Sequence, residues 1–400
     1  MGILKNSRVA TKYRVSNPTV GKWITAAQDR KNNLEITKVK NKNYILDTEA
    51  NHKELAFLAE RGGKYKNKIG YELVEPNPEF YKIFNESQII DIIINLRKKI
   101  LPYKYFYWGQ GSSYWDRFVN NRVSIVNDEE YKGVKSIDLI FNYILYRLGE
   151  YKSINLIDIG SGNGYPAKQL IQRVKNAHFK VDYSALDLSQ DLLDILSKNM
   201  DKWYPEINKS YVKHDIEFDL LRNLLYSPRN KKGEKGCNLV TMLGCTISNF
   251  PDIHRILRNI SDSMSVGDYL LMDFQMSSKQ DYENTRVGLG QPEIRNLSTW
   301  LIEMLGINKD NLNFEVKYDE YLKANSQIYT LKKDIDIKII VGKTRDIISL
   351  RQGDKIRGLF VKSYDINELL QEVQSASLFV DNLSFQPEKS EALMMCEIVK

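Results

Sequence analysis

Cysteine and histidine are scarce in this chain, whose 400 residues hold 3 Cys and 4 His. Cys237, Cys245 and Cys396 show neither even pairing nor metal-ligand spacing, so reduced thiols are expected. The histidines stand singly and form no HExxH pair or cluster for zinc, which disfavours metal catalysis. No apolar run approaches the length needed to cross a bilayer, and the start MGILKNSRV lacks the long apolar stretch of a secretion signal. A cytoplasmic protein without a membrane partner is the expectation. A GxxxxGK phosphate loop, a nucleophilic serine elbow, a kinase signature and internal repeats are also missing. With 42% hydrophobic and 27% charged residues the chain can still bury a sizeable core, and its length suits two or three domains.

The net charge of +7 is unevenly placed. Residues 1–75 carry 15 Lys and Arg against 8 Asp and Glu, whereas in the remainder 43 basic residues face 43 acidic ones. A small basic module ahead of an electrically balanced body follows. Within it, SRVATKYRVSNPTVGKWITAAQ reads as two short helices. Val9 and Ala10 mark the apolar side of the first, and Val20, Trp23, Ile24 and Ala27 recur at helical spacing on the second. Val15 fills the turn, Ser16 or Asn17 caps the second helix, and Pro18 is tolerated in its first turn. The segment LEITKVKNKNYIL then alternates apolar and basic residues around Asn41, Lys42 and Asn43, as a hairpin would. The turn resembles the GVSxxTV turn of MerR- and excisionase-type winged helix-turn-helix modules, with Arg14 in place of the glycine. That resemblance implies double-stranded DNA as partner, Thr19 and Lys22 toward the major groove, Lys38, Lys40 and Lys42 beside phosphates, and a homodimer on paired half-sites. A solvated basic face used for protein contacts is the competing reading.

The most informative stretch is LIDIGSGNG, Leu156 to Gly164. An apolar strand breaks into Gly160, Gly162 and Gly164, a turn that lets a cofactor approach bare backbone. The run YSALDL then puts Asp187 where a second parallel strand ends, which describes a nucleotide-type site. The dinucleotide pattern GxGxxG does not fit, because Gly164 follows Gly162 by two residues. The spacing DxGxGxG instead resembles class I S-adenosylmethionine (SAM)-dependent methyltransferases. Strand-like and helix-like segments alternate through residues 154–275, as in a doubly wound sheet. Ligands on such sheets sit at the carboxyl ends of the strands. That rule and the resemblance nominate Asp158, Gly160, Ser161, Gly162, Gly164, Asp187, His214, Asp215 and Gly244 for SAM, with Asp187 on the ribose hydroxyls and Asp215 on the adenine amino group. Helix capping is the plainer role for Asp187 and Asp215.

Three further elements resemble the histidine-specific methyltransferase family, which includes the ergothioneine-pathway enzyme that trimethylates the α-amino group of histidine. LGCTISNF is similar to that family's LGSTIGNF, LPYKYFYWGQGSSYWDRF to its LPPKYFYDxxGSxLFExI, and the tail KSYDINELLQEVQSASLFV to SxKYxxxxxxxLLxxAGF. Together they span residues 80–400 in order. The resemblance implies a small-molecule amine substrate, contacted by Tyr107, Asn249 and, through NDEEYKG, Tyr131. Tyr107, Asn249 or Asp273 would orient the nucleophile or take its proton. Before the tail element, where the histidine enzymes have an acidic residue and a serine, this chain has Leu359 and Val361, which leaves free histidine poorly anchored.

The expected architecture is α/β: a class I, Rossmann-like methyltransferase sheet with a β-rich insertion, preceded by a small winged helix-turn-helix domain. The expected divisions are 1–75 for the basic module and linker, 76–150 for a helical, aromatic-rich lid, 151–290 for the SAM-binding core, 291–363 for an inserted α+β subdomain, and 364–400 for a closing helix and strand. Two other functions remain open. One is a DNA-binding regulator with a SAM-sensing or inactive methyltransferase-like domain. The other is a DNA methyltransferase, although TISNFPD offers only one proline where amino-methylating DNA enzymes resemble one another in [DNS]PP[FYW].

Overall fold

Trp23 and Val20 are almost completely buried, and the basic N-terminal segment folds around them. The computed structural model describes residues 2–13, 15, 17–29, 31–39, 41–60, 71–126, 132–225, 235–277, 279–386 and 391–398. It divides into two units, Met1–Tyr71 and Glu72–Lys400. The first contains β1 (Ile3–Leu4), α1 (Asn6–Lys12), α2 (Asn17–Gln28), β2 (Ile36–Val39), β3 (Lys42–Leu46) and α3 (Glu49–Glu60). Its antiparallel sheet has the order β1-β3-β2. The apolar spacing read from α1 and α2 is the spacing that is buried: Val9, Ala10, Val20, Trp23 and Ile24 meet Ile45, Leu55 and Leu58, with Val15 packed alongside. Val39 pairs with Lys42 across a tight turn in which Asn41 is left-handed at φ 60°. Asn17 opens α2, while Ser16, the other capping candidate, lies outside the described residues.

The second unit begins with β4 (Tyr71–Val74), α4 (Phe80–Ile83), α5 (Glu86–Arg97), α6 (Gln110–Val126) and α7 (Lys132–Leu148). The sequence division at residue 75 falls slightly late, because β4 joins a sheet of the second unit. Asn85 and Gln88 close a capping box that starts α5, whose isoleucine face (Ile89, Ile92, Ile93) is buried. The aromatic-rich stretch contains the start of α6, an element the residue pattern did not reveal.

The main sheet follows, with β5 (Ser153–Ile159), α8 (Tyr165–Asn176), β6 (Lys180–Asp187), α9 (Gln190–Trp203), β7 (Asn208–Lys213), β8 (Gly236–Met242), α10 (Ile253–Ser261) and β9 (Tyr269–Gln275). The expected insertion contains α11 (Lys279–Gly290), α12 (Pro292–Met304), β10 (Leu312–Asp319), β11 (Ala324–Leu331), β12 (Asp334–Val341), β13 (Thr344–Leu350) and β14 (Lys355–Lys362). The chain closes with α13 (Ile366–Ser375), β15 (Phe379–Gln386) and β16 (Glu391–Glu397).

Seven strands form the sheet in the order β15-β16-β9-β8-β5-β6-β7. The five from β9 to β7 run parallel, and β16 is antiparallel to both its neighbours. Every residue of β5 and β8 is buried, as central strands covered on both faces require. One face packs on α7, α8 and α9, the other on α10 and α13. Two three-stranded sheets, β10-β11-β14 and β13-β12-β4, share a separate core with α4, α5 and α12 that includes Phe80, Ile92, Trp108, Trp300 and Ile337. No helix among the described residues is long and apolar enough to cross a membrane.

Candidate active site

The carboxyl ends of β5, β6, β8 and β9 open into a cavity of about 560 Å³, roofed by α6, α11 and β14. Gly160 and Gly162 line it with φ 66° and 54°, conformations that L side chains rarely adopt. A Cβ on Gly160 would lie 2.5 Å from Thr246 Cγ2, and one on Gly162 would lie 3.1 Å from Trp115 Nε1. The bare turn is therefore pressed between the loop after β8 and the helix above it. Asp187 ties this turn to β6: its Oδ2 accepts from the Gly162 N–H at 3.1 Å, and its Oδ1 from the Ser189 N–H at 2.9 Å. Ser189, two residues on, is the cap of α9, its Oγ accepting from the Leu192 N–H at 3.2 Å, so the Asp187 carboxylate is left to the glycine turn. Burial raises the Asp187 pKa to about 6 against the opposing pull of the Ser189 and Gly162 N–H groups.

Two nominated residues support the turn from outside the cavity. Asp158 is buried beneath it, where it accepts from the Tyr183 hydroxyl at 2.8 Å and the Thr241 hydroxyl at 3.0 Å. Gly164 ends the turn at φ 83°, and a Cβ there would strike Leu196 Cδ1 of α9 at 2.1 Å. The repeated DxGxGxG pattern looks uniform, but its first and last members serve packing. Gly160, Ser161, Gly162, Asp187, His214, Asp215 and Gly244 all line the cavity. So do Tyr107, Asn249 and Asp273, while Tyr131 lies outside the described residues.

Hydrogen bonds clip the aromatic segment onto this floor. Ser189 Oγ donates to the Tyr107 carbonyl at 2.6 Å, the Gly109 N–H to Asp191 at 2.7 Å, and Asn163 Nδ2 to Asp116 at 2.9 Å. The Tyr107 ring meets Trp115 edge-on at 5.5 Å. Burial, and after it the nearby Asp187, push the Tyr107 hydroxyl far up, which keeps it protonated at neutral pH. Asp273 accepts from the Gly244 and Cys245 N–H groups at 3.0 and 2.7 Å, which holds the loop after β8. Burial, with Glu391 adding to it, raises the Asp273 pKa to about 7. Glu391 enters through β16, paired opposite Gln275, and also lines the cavity. Sequence reading missed Glu391, Thr285 of α11, and Phe118 and Arg122 of α6, all of which line it. They are separated widely along the chain, and only the sheet order and the insertion bring them together. Among the described residues no cluster of His, Cys, Asp or Glu is arranged to hold a metal.

A nucleoside-bearing cofactor fits this cradle. Ser161 Oγ and His214 Nε2 are buried there with no hydrogen-bond partner among the described residues, as donors and acceptors reserved for a ligand would be. The volume lies in the range of small-molecule sites, roughly 300–1,000 Å³. A glycine turn after the first strand, a carboxylate closing the second and one antiparallel strand in a seven-stranded sheet define the class I fold, and the chain is a SAM-dependent methyltransferase.

The chain belongs to the family described as histidine-specific methyltransferase, SAM-dependent, whose model matches residues 85–398. Among solved structures it is similar to an S-adenosylmethionine-dependent methyltransferase from Clostridium acetobutylicum ATCC 824, at 10% identity over 72% of this chain and 99% of that one, with a TM-score of 0.40. It is similar also to the magnesium protoporphyrin IX methyltransferase of Synechocystis PCC 6803 with bound SAH, at 8% identity over 74% and 98% of the two chains, with a TM-score of 0.40. No curated protein matches it.

Proposed function

We propose that this enzyme N-methylates a small amine less polar than free histidine, and that its N-terminal unit binds duplex DNA. The first half rests on one observation: Asp273 and Glu391, near enough to act on each other electrostatically, line the same cavity as Leu359 and Val361 of β14. When bound, SAM supplies a methyl group already made electrophilic by its sulfonium. Gly160, Ser161, Gly162 and Asp187 hold it, with His214 and Asp215 toward the base. The chain's remaining work is to align a nitrogen lone pair and keep water out. An ammonium group must first lose a proton, and a carboxylate of pKa about 7 is suited to take it near neutrality. Asn249, at the cavity wall, orients the acceptor, and Tyr107 donates a hydrogen bond to it.

Leu359 and Val361 offer no partner to an amino acid's charged groups, and an unpaired polar group in a closed site is costly. Phenethylamine should therefore be methylated with a higher kcat/KM than free histidine. The double variant Leu359→Glu, Val361→Ser should shift that ratio toward histidine by roughly 100-fold, as a site rebuilt to pair polar groups does. A wild-type preference for histidine, unmoved by the double substitution, overturns the reading of this wall.

For the N-terminal unit, the support is a helix followed by a hairpin, with exposed Lys22, Lys38 and Lys42 forming no ion pair with any described residue. Lys40 lies outside the described residues, and Thr19 is half-buried on α2. Lys22→Ala with Lys42→Ala should weaken duplex binding and flatten the slope of log K against log salt by about 2, close to one unit per lost phosphate contact. Fluorescence anisotropy on a mixed-sequence duplex reads both. Absence of wild-type duplex affinity at low salt contradicts the DNA-binding half.

A further inference from the structure

Gln327, in the middle of β11, is completely buried and fully hydrogen-bonded, and three of its four partners belong to residues of the cavity wall. Its Nε2 donates to the carbonyls of Leu289 and Ile294 at 2.9 and 3.4 Å, either side of the junction between α11 and α12. Its Oε1 accepts from the Ser298 hydroxyl at 2.5 Å and from the Leu359 N–H at 3.3 Å. Ser298 Oγ lies 2.6 Å from the Tyr329 hydroxyl, which is then the donor because the serine proton is engaged. The chain Tyr329 to Ser298 to Gln327 fixes which end of the amide faces which wall.

The strand geometry explains why a side chain is needed. Ser326 pairs with Phe360 and Ile328 with Arg357, so one residue of β11 faces two of β14, Gly358 and Leu359. A Cβ on Gly358 would meet Tyr329 Cε2 at 2.9 Å and Gln327 Cβ at 3.3 Å, so the bulge needs glycine there. The displaced Leu359 N–H finds Gln327 instead. On the same strand, buried Asn325 donates to the Tyr282 carbonyl at 3.2 Å, near the other end of α11. Leu289, Ile294 and Leu359 all line the cavity, as do Asn284 and Thr285 between the two clips.

We infer that Gln327 is a positioning residue for the methyl acceptor: one buried amide sets the α11–α12 junction and the Leu359 wall in register with each other. This rests on the reading that the β14 end of the cavity holds the acceptor. Gln327 touches none of the residues assigned to SAM, so its loss should act on one side of the cavity only.

The test compares Gln327→Met, which removes all four hydrogen bonds, with Gln327→Glu, which keeps the acceptors and loses the donor when ionised. Backbone hydrogen exchange over residues 284–294 should accelerate at least tenfold in Gln327→Met, while SAH affinity by calorimetry stays within twofold. With histamine and phenethylamine as acceptors, KM should rise at least tenfold and kcat change less than threefold. Gln327→Glu, measured against wild type at each pH, should recover as pH falls, because the protonated acid again donates to the Leu289 carbonyl. A merely structural role would move SAH affinity and acceptor KM together across that pH range, whereas a positioning role rescues the acceptor KM alone. If Gln327→Met does not fold, Ser298→Ala should show the same pattern more weakly. Unchanged exchange at 284–294, or SAH affinity falling in step with acceptor KM, overturns the inference. Lack of wild-type turnover with either amine bears on the amine reading instead and leaves the exchange result decisive.

Discussion

Asp187→Ala should weaken SAH binding by about 100-fold or more, measured by calorimetry near pH 8. The carboxylate sits at the end of β6 where two ribose hydroxyls would donate to it, and hydrogen bonds to a charged group contribute about 1.5–3 kcal/mol each. Two of them exceed the ~2.7 kcal/mol that corresponds to 100-fold. The substitution also releases the Gly162 N–H that Asp187 now fixes. The same carboxylate gives the affinity a pH dependence. With its folded pKa raised to about 6, above the ordinary value near 3.9, the ligand-free fold favours the protonated acid. Its contribution to stability is therefore present in full below about pH 4 and is lost as pH rises through about 6. Cofactor binding runs the opposite way, since only the ionised form accepts from both hydroxyls. SAH affinity should fall as pH drops below about 6 in the wild type and stay flatter in Asp187→Asn. An alanine variant with wild-type affinity would mean that the ribose is held elsewhere.

Gly111→Ala should be the most damaging glycine-to-alanine change among the described residues. Alanine normally strengthens a helix relative to glycine by about 1 kcal/mol. Gly111 lies in the first turn of α6, yet its Cβ would fall 1.8 Å from the Phe106 carbonyl oxygen, with Trp300 Cε3 at 3.7 Å on the other side. Backbone oxygen cannot swing aside as a side chain can. The cost should be on the order of 3 kcal/mol or more, from overpacking that forces the segment around Tyr107 away from α6. Thermal unfolding should show a Tm lowered by roughly 5 °C or more. Gly290→Ala, where no atom lies within 4 Å of the added methyl, serves as the control and should be near neutral. Turnover should fall too, because Tyr107 and Trp115 flank the same cavity. Equal stability of the two variants would show that the aromatic segment tolerates displacement.

Features written in local patterns are legible in the sequence. LIDIGSGNG is a buried strand followed by glycines whose positive φ values the structure requires, and Asp187 stands one parallel strand away. The helical spacing of Val20, Trp23 and Ile24 likewise needed no tertiary knowledge. Other features depend on contacts that periodicity does not carry. Asp158 and Gly164 share a motif with cavity residues but face Tyr183, Thr241 and Leu196, which only the packed sheet reveals. Glu391 lies far along the chain and reaches the site because β16 inserts antiparallel beside β9. Gln327 reads as one polar residue in a strand, and the bulge that turns the Leu359 N–H toward it leaves no mark in the local pattern. The aromatic run from Tyr103 to Trp115 signalled importance but concealed the helix boundary at Gln110.

A small amine should receive the methyl group in the cavity lined by Leu359 and Val361. The most direct test is to supply methyl-labelled SAM with a defined pool of amines and amino acids and locate the label by mass spectrometry. Label should appear on nitrogen, on an amine with an apolar body in preference to free histidine. Tight SAM binding with no label on any amine, or label found only on nucleic acid, would contradict this assignment.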